Sequence, residues 1–264
     1  MILSHCNFFS KTLLNHVDVD VLLPSVPDND CIGMTLEEIY TPVKPYPVLY
    51  LLHGALDDHS MWLRHTDIEA LAEKAGVAVV MPSGQNGFYV NARYGQNYFD
   101  FIAKELPAFI ERIFPVSTCR EDRFIAGPSM GGYGATHTAL SCPERYGAFA
   151  DLSGAVDPVT LEPRMKAMGF GFFRYDLIFD GTQNMRPDDD LYALAASLKS
   201  AKIKPEAYVY CGLEDTANLD MNCRLRDTLA ENGFSVHFRD GHGLHDWTYW
   251  NGCIADFLAR IAKK

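Results

Sequence analysis

The chain lacks a C-x-x-C pair, an H-E-x-x-H motif, any excess of basic charge and any apolar run long enough to span a membrane. Each absence removes a class of function. Among 264 residues, 23 Lys and Arg face 34 Asp and Glu, a net charge of −11. Such an acidic surface repels phosphate backbones and anionic lipid heads, which argues against nucleic acid or a membrane as partner. The seven cysteines (Cys6, Cys31, Cys119, Cys142, Cys211, Cys223 and Cys253) are odd in number and scattered, as reduced thiols of a cytosolic protein are. The opening MILSHCNFFSKTLLNH has no basic segment leading into an unbroken apolar run, so it does not read as a signal peptide. A cytoplasmic location is expected. Repeats and low-complexity tracts are also missing. With 48% hydrophobic residues, one large domain over 1–264 is expected. Nothing in the sequence bears on oligomeric state, and a homo-oligomer stays open.

What is present alternates. HVDVDVLL (16–23) has the period of a half-buried strand. VLYLL (48–52) and VAVVMP (77–82) read as strands buried on both faces of a parallel sheet. Further strands are expected at 123–126, 148–155, 207–212 and 235–241. Helical spacing covers 60–75, with Gly76 as C-cap, then 97–114 with a kink or break at Pro107, 130–141, 217–232 and 247–262. Strands alternating with helices predict an α/β fold with a mostly parallel central sheet and helices on both faces. Residues 156–190, rich in Gly, Asp and Phe, are too long for an ordinary connection and read as a small insertion over the site.

Gly127-Pro128-Ser129-Met130-Gly131 is a G-x-S-x-G pattern. A chain of this length shows it by chance about one time in ten. Its setting raises its meaning, because a strand precedes it and a helix follows. A nucleophile on a sharp strand-to-helix turn needs small neighbours two residues away on each side, and Gly127 and Gly131 supply them. Ser83 and Ser153 lack paired glycines. A serine hydroxyl needs a base, and the base needs an acid to orient it. On such a sheet the order is serine, acid, histidine, each past the end of a strand. Asp215 follows the strand AYVYC, with Glu214 as its rival; Asp157, Asp176 and Asp180 rank lower because they lie in the insertion. His242 and His245 follow the last strand, and His245 directly precedes the closing helix. His53 comes before the serine, the wrong order for a base, and His137 reads as structural. The H-x-x-H pair has no third ligand at convincing spacing, so neither metal nor cofactor is expected. Backbone N–H groups of Met130 and of the loop after VLYLL, through Ala55, would hold an oxyanion.

Together, FFSKTL, YPVLYLLHGALDDHSMW, GPSMGGYGA, CGLEDT and GLHDWTYW resemble the putative-esterase family of α/β-hydrolases. That family includes tributyrin esterases, S-formylglutathione hydrolases (esterase D), feruloyl and acetylxylan esterases, and mycolyltransferases. The likeness is greatest to the tributyrin esterase branch. It implies Ser129 as nucleophile, Asp215 as acid, His245 as base, and Ala55 and Met130 as the oxyanion hole. The expected activity is hydrolysis of short-chain acyl esters. Feruloyl, acetylxylan or S-formylglutathione-type hydrolysis on the same triad is the alternative; acyl transfer and non-catalytic binding are more remote. The formylglutathione branch carries histidines where this chain has Pro128 and Tyr133, which argues against that substrate. Phe170, Phe172, Phe173 and Tyr175 would either wall an acyl pocket or pack the insertion down.

Overall fold

Eight strands form one sheet in a computed structural model that describes residues 1–40, 44–171 and 173–262. They are β1 (Ile2–Ser10), β2 (Asn15–Leu23), β3 (Val48–Leu51), β4 (Ala78–Pro82), β5 (Arg123–Pro128), β6 (Ala148–Leu152), β7 (Glu206–Gly212) and β8 (Val236–Gly241). Their order is β1-β2-β4-β3-β5-β6-β7-β8. The β1–β2 and β2–β4 pairs are antiparallel, and every other pair is parallel.

The helices are α1 (Leu36–Tyr40), α2 (Met61–His65), α3 (Ile68–Ala75), α4 (Tyr98–Asp100), α5 (Leu106–Ile113) and α6 (Met130–Ser141). After the sixth strand come α7 (Pro158–Ala167), α8 (Tyr175–Phe179), α9 (Leu191–Ser197), α10 (Leu219–Glu231) and α11 (Trp247–Ile261). Among the described residues no helix is long and apolar enough to cross a membrane.

The central strands are apolar throughout because both faces are covered. Val48 and Tyr50 of β3 join one core with Leu106, Ile110, Tyr133, Leu191 and Leu225, from α5, α6, α9 and α10. Leu49 and Leu51 point the other way, into a second core with Trp62, Ile68, Ala72, Ile254 and Phe257 from α2, α3 and α11. The period of two within a strand thus divides its side chains between two helical layers.

Four differences from the sequence reading have local causes. β1 is a strand that was not expected; it pairs along its full length with β2 and is mostly exposed or half-buried, so its apolar pattern is weak. The helix expected over 60–75 is two, parted at Thr66 and Asp67; Gly76 does end the second in the left-handed region, at φ 67°. At Phe101–Glu105 the backbone widens to a π-helical turn just before Pro107, which has no N–H to give and a ring that crowds the preceding turn. β5 runs two residues further than expected, and β6 stops at Leu152 because Ser153 turns to φ 52°.

Residues 156–190 fold as α7, α8 and two 3₁₀ turns, Thr182–Asn184 and Pro187–Asp189. Asp157 caps α7 by accepting from the Thr160 N–H at 3.1 Å. Tyr133 of α6 donates to the Asp189 carbonyl at 2.6 Å, tying the segment to the body. Arg164 does the same from the other side, donating to the Asp220 carboxylate at 2.6 and 2.9 Å.

Candidate active site

The segment after β5 turns so sharply that Ser129 takes φ 53° and ψ −118°. For a residue with a side chain this is a strained conformation, costing about 1–3 kcal/mol. The flanking glycines make the turn feasible. A Cβ on Gly127 would lie 2.6 Å from the Gly131 carbonyl, and one on Gly131 would lie 2.6 Å from the His53 carbonyl oxygen. The Ser129 N–H donates to the Leu152 carbonyl at 3.0 Å, and its carbonyl accepts from Tyr133 and Ala155. Strand β6 and helix α6 therefore grip the serine backbone from both sides.

Asp215 and His245 come from the loops after β7 and β8. His245 Nδ1 lies 2.7 Å from Asp215 Oδ2, and the Asp215 side chain is only 2% exposed while the imidazole is 35% exposed. Asn218 Nδ2 donates to the other carboxylate oxygen, Oδ1, at 3.0 Å and lies 3.1 Å from His245 Nδ1. The indole of Trp250 meets the imidazole edge-on, with centroids 4.9 Å apart. These contacts hold the ring with Nδ1 turned to the acid.

The two rivals pair with each other instead. His242 Nδ1 lies 2.6 Å from Glu214 Oε1, with side chains 92% and 44% exposed, and Glu214 also accepts from the Gly243 N–H at 2.7 Å. The hydrogen bond from His242 holds the Glu214 carboxyl below its usual range, and the same bond raises His242. The other acids considered in the sequence are engaged elsewhere: Asp157 at its cap, Asp176 with Arg174, and Asp180 at the left-handed end of α8. Ser83 accepts from the His59 N–H at 3.2 Å, and Ser153 is fully buried.

Ala55 and Met130 stand on either side of the serine, and both border its cavity. Neither backbone N–H has a hydrogen-bond partner among the described residues. The loop carrying Ala55 is fixed by His53, which is buried, places Nδ1 2.6 Å from the Gly54 carbonyl, and accepts from the Gly84 N–H at Nε2 over 2.7 Å. Burial pushes the His53 imidazole down to about 4, so it stays neutral at pH 7. Further along, Leu56 adopts φ 69°, and its N–H reaches Asn86 Oδ1 at 2.8 Å. His137 is also buried and stacks on Tyr133, away from the serine.

Ser129, Asp215 and His245 border one cavity of about 290 Å³. Phe170, Phe173 and Tyr175 line it from the insertion, with Phe88, Leu161, Met165 and Met168. Phe172 lies outside the described residues. Tyr175 also stacks on Phe179, so its ring both lines the cavity and packs the insertion down. An open groove of about 650 Å³ adjoins the cavity, shares Leu56, Asp57 and Phe173 with it, and presents Gln85, Asn86, Gln96 and Arg174. Sequence reasoning missed Asn218, Asp57 and the two methionines. Only their distance from motif residues along the chain could have drawn attention to them, and that distance means nothing until the loops are folded.

Pro128 and Tyr133 do not border the cavity. Tyr133 is fully buried with its hydroxyl on the Asp189 carbonyl. The side chains at these two positions therefore say little about which leaving group fits.

A family model described as Putative esterase matches residues 31–261. An acetyl esterase of Caldicellulosiruptor saccharolyticus is 31% identical over 271 aligned residues, which take in 100% of this chain and 99% of that protein. Among solved structures, a fluorophosphonate-binding serine hydrolase of Staphylococcus aureus, with substrate bound, superposes with a TM-score of 0.85 at 28% identity, covering 99% of this chain and 98% of that one. The S-formylglutathione hydrolase of the same organism gives 0.83 at 29% identity over the same shares of the two chains.

Proposed function

The chain belongs to the Putative esterase family and is a carboxylic ester hydrolase; on that premise we propose that it is a serine carboxylesterase acting on short-chain acyl esters through Ser129, His245 and Asp215. One observation carries the reading: a buried aspartate holds His245 by Nδ1 at 2.7 Å on the wall of the cavity that Ser129 borders.

In this mechanism His245 Nε2 takes the proton from Ser129 Oγ as the oxygen attacks the ester carbonyl carbon. The Asp215 carboxylate stabilises the imidazolium through Nδ1–H. The carbonyl oxygen becomes an oxyanion and accepts from the N–H groups of Met130 and Ala55, the first strengthened by the N-terminus of α6. His245 then gives its proton to the leaving alcohol, and an acyl-enzyme forms. Water enters, loses a proton to His245, and attacks the acyl carbon; collapse of the second oxyanion releases the acid and restores the serine.

The size and lining of the cavity support short acyl chains. Phe88, Phe170, Phe173, Met165 and Met168 surround about 290 Å³, room for a small apolar group beside the serine. The related acetyl esterase is named for such a group. The open groove beside it, lined by apolar residues with Gln85, Asn86, Gln96 and Arg174 among them, would take the alcohol. Seven unpaired thiols suit a reducing compartment, and we place the enzyme in the cytoplasm on that ground.

A panel of p-nitrophenyl esters tests the reading. Acetate and butyrate are expected to exceed the decanoate in kcat/KM by at least about tenfold, with Ser129→Ala at background for all of them. Equal rates across chain lengths would overturn the short-chain assignment, and wild-type rates in Ser129→Ala would overturn the triad.

A further inference from the structure

On the antiparallel side of the sheet, among residues that do not border the serine cavity, two imidazoles converge on a buried carboxylate. His5 of β1 stands directly opposite Asp20 of β2 in the strand register. Its Nδ1 lies 2.7 Å from Asp20 Oδ1, and the Asp20 side chain is only 8% exposed. His59 reaches the same place from the loop after β3, its ring centroid 5.1 Å from that of His5 and tilted by 42°. One ligand atom from each of the three residues lies within 4.8 Å of the others. None of the three borders the serine cavity.

We propose that His5, Asp20 and His59 form a binding site for a divalent transition-metal cation of the Zn²⁺ type. The donor set selects the class. Two imidazole nitrogens and one carboxylate oxygen suit Zn²⁺ and its first-row neighbours, whereas Ca²⁺ and Mg²⁺ ask for oxygen donors throughout. Ligand bonds of about 2.0–2.2 Å place donor atoms of a tetrahedral site roughly 3.4 Å apart. The three donors need to draw in by up to about 1.4 Å, a rotamer-scale adjustment for an exposed imidazole such as His5. Water would fill the remaining position. The proton between His5 Nδ1 and Asp20 passes to solvent as the cation takes its place.

The surroundings orient these ligands. His59 Nδ1 lies 2.9 Å from Ser83 Oγ, which also accepts from the His59 N–H at 3.2 Å. That serine hydroxyl leaves Nε2 of His59 as the freer nitrogen for coordination. His5 Nε2 is 3.6 Å from Asp18 Oδ1, a second carboxylate just outside the three. A bound cation would link the β1–β2 hairpin to the loop that follows β3. It would stabilise the folded chain through binding, without touching the groups that perform ester hydrolysis.

The test is calorimetric titration of chelator-treated, thiol-reduced protein with Zn²⁺, compared with the His5→Gln/His59→Gln double variant. Wild type is expected to bind one equivalent at least about tenfold more tightly than the double variant binds any equivalent. The variant should keep wild-type esterase activity and circular dichroism. Co²⁺ as a spectroscopic stand-in should give d–d bands without a thiolate charge-transfer band. Equal Zn²⁺ affinity in the two proteins, or a thiolate band that persists in the double variant and accounts for the stoichiometric site, would overturn the proposal. If the double variant does not fold, His59→Gln alone, in the loop, serves with the same criterion.

Discussion

Two acid–histidine pairs stand side by side in the loops after β7 and β8, and they differ in nearly everything but chemistry. Asp215 with His245 and Glu214 with His242 have similar contacts, at 2.7 and 2.6 Å. The first acid is buried, with an amide from Asn218 on its second oxygen and an indole against its imidazole. The second pair is exposed, and its histidine is almost wholly in water. Short contact alone therefore does not distinguish the two pairs. What separates them is that burial makes one charge costly unless it is matched, and that matching fixes a ring at the edge of a cavity. In water the other pair is screened and contributes little.

The largest break in this comparison comes from Asp215→Asn. It leaves the shape intact but removes the charge and the tautomer control, so kcat for p-nitrophenyl acetate is expected to fall by about 10³–10⁴-fold. Asn218→Ala is expected to cost about tenfold in kcat with KM little changed, because one hydrogen bond to the buried carboxylate is lost; stopped-flow or steady-state kinetics would show it. Glu214→Gln, in contrast, should leave kcat/KM within about twofold. Its effect is confined to stability and to a pH window. A lowered Glu214 contributes only above the ordinary glutamate value and loses that contribution as pH falls through its folded value. A raised His242 contributes only below the ordinary histidine value and loses it as pH rises through its folded value. Melting temperatures of wild type and Glu214→Gln should therefore differ only slightly, between about pH 4 and 7, and converge outside that window.

A third acid sharpens the contrast. Asp151 of β6 is fully buried beneath the serine turn, and a Cβ on Gly132 or Gly154 would come within 2.1 or 2.0 Å of its Oδ1. Among the described residues, Gly154 is the one backbone neighbour that bears on the carboxyl as a hydrogen-bond donor, and it opposes the effect of burial only in part. Burial, aided by the nearby charge of Asp215, pushes its pKa well above the ordinary value, so the folded chain keeps this proton while the unfolded chain releases it. Its contribution to stability accordingly falls as pH rises above about 4. Asp151→Asn, which has no proton to release on unfolding, should gain in urea midpoint relative to wild type as pH rises from 5 to 8. A gap that stays constant from pH 5 to pH 8 would show the carboxyl to be ionised in the fold.

Much of this was legible in the sequence. The paired glycines around Ser129 and the apolar blocks of β3, β4 and β5 carry strong local patterns, and serine, acid and histidine occur in chain order. The choice between Asp215 and Glu214 was less so. They are neighbours in one loop, and their directions are set by the turn in which the Asp215 N–H reaches the Gly212 carbonyl. β1 escaped because an exposed edge strand need not alternate cleanly, and its polar residues His5 and Asn7 obscured the period. Pro128 and Tyr133, which set the chain apart from the formylglutathione branch, are buried and do not border the cavity. The His5, Asp20 and His59 cluster has no signature at all in the chain, because antiparallel pairing and a distant loop bring it together.

Ser129 is proposed as the nucleophile, activated by His245. That assignment is tested most directly by the rate and position of fluorophosphonate labelling, read by intact and peptide mass, in wild type, Ser129→Ala, His245→Ala and His242→Ala. One adduct on Ser129 is expected, with none in Ser129→Ala, labelling slowed by at least about a hundredfold in His245→Ala, and the wild-type rate in His242→Ala. A stoichiometric adduct on another serine, or undiminished labelling in His245→Ala, would contradict it.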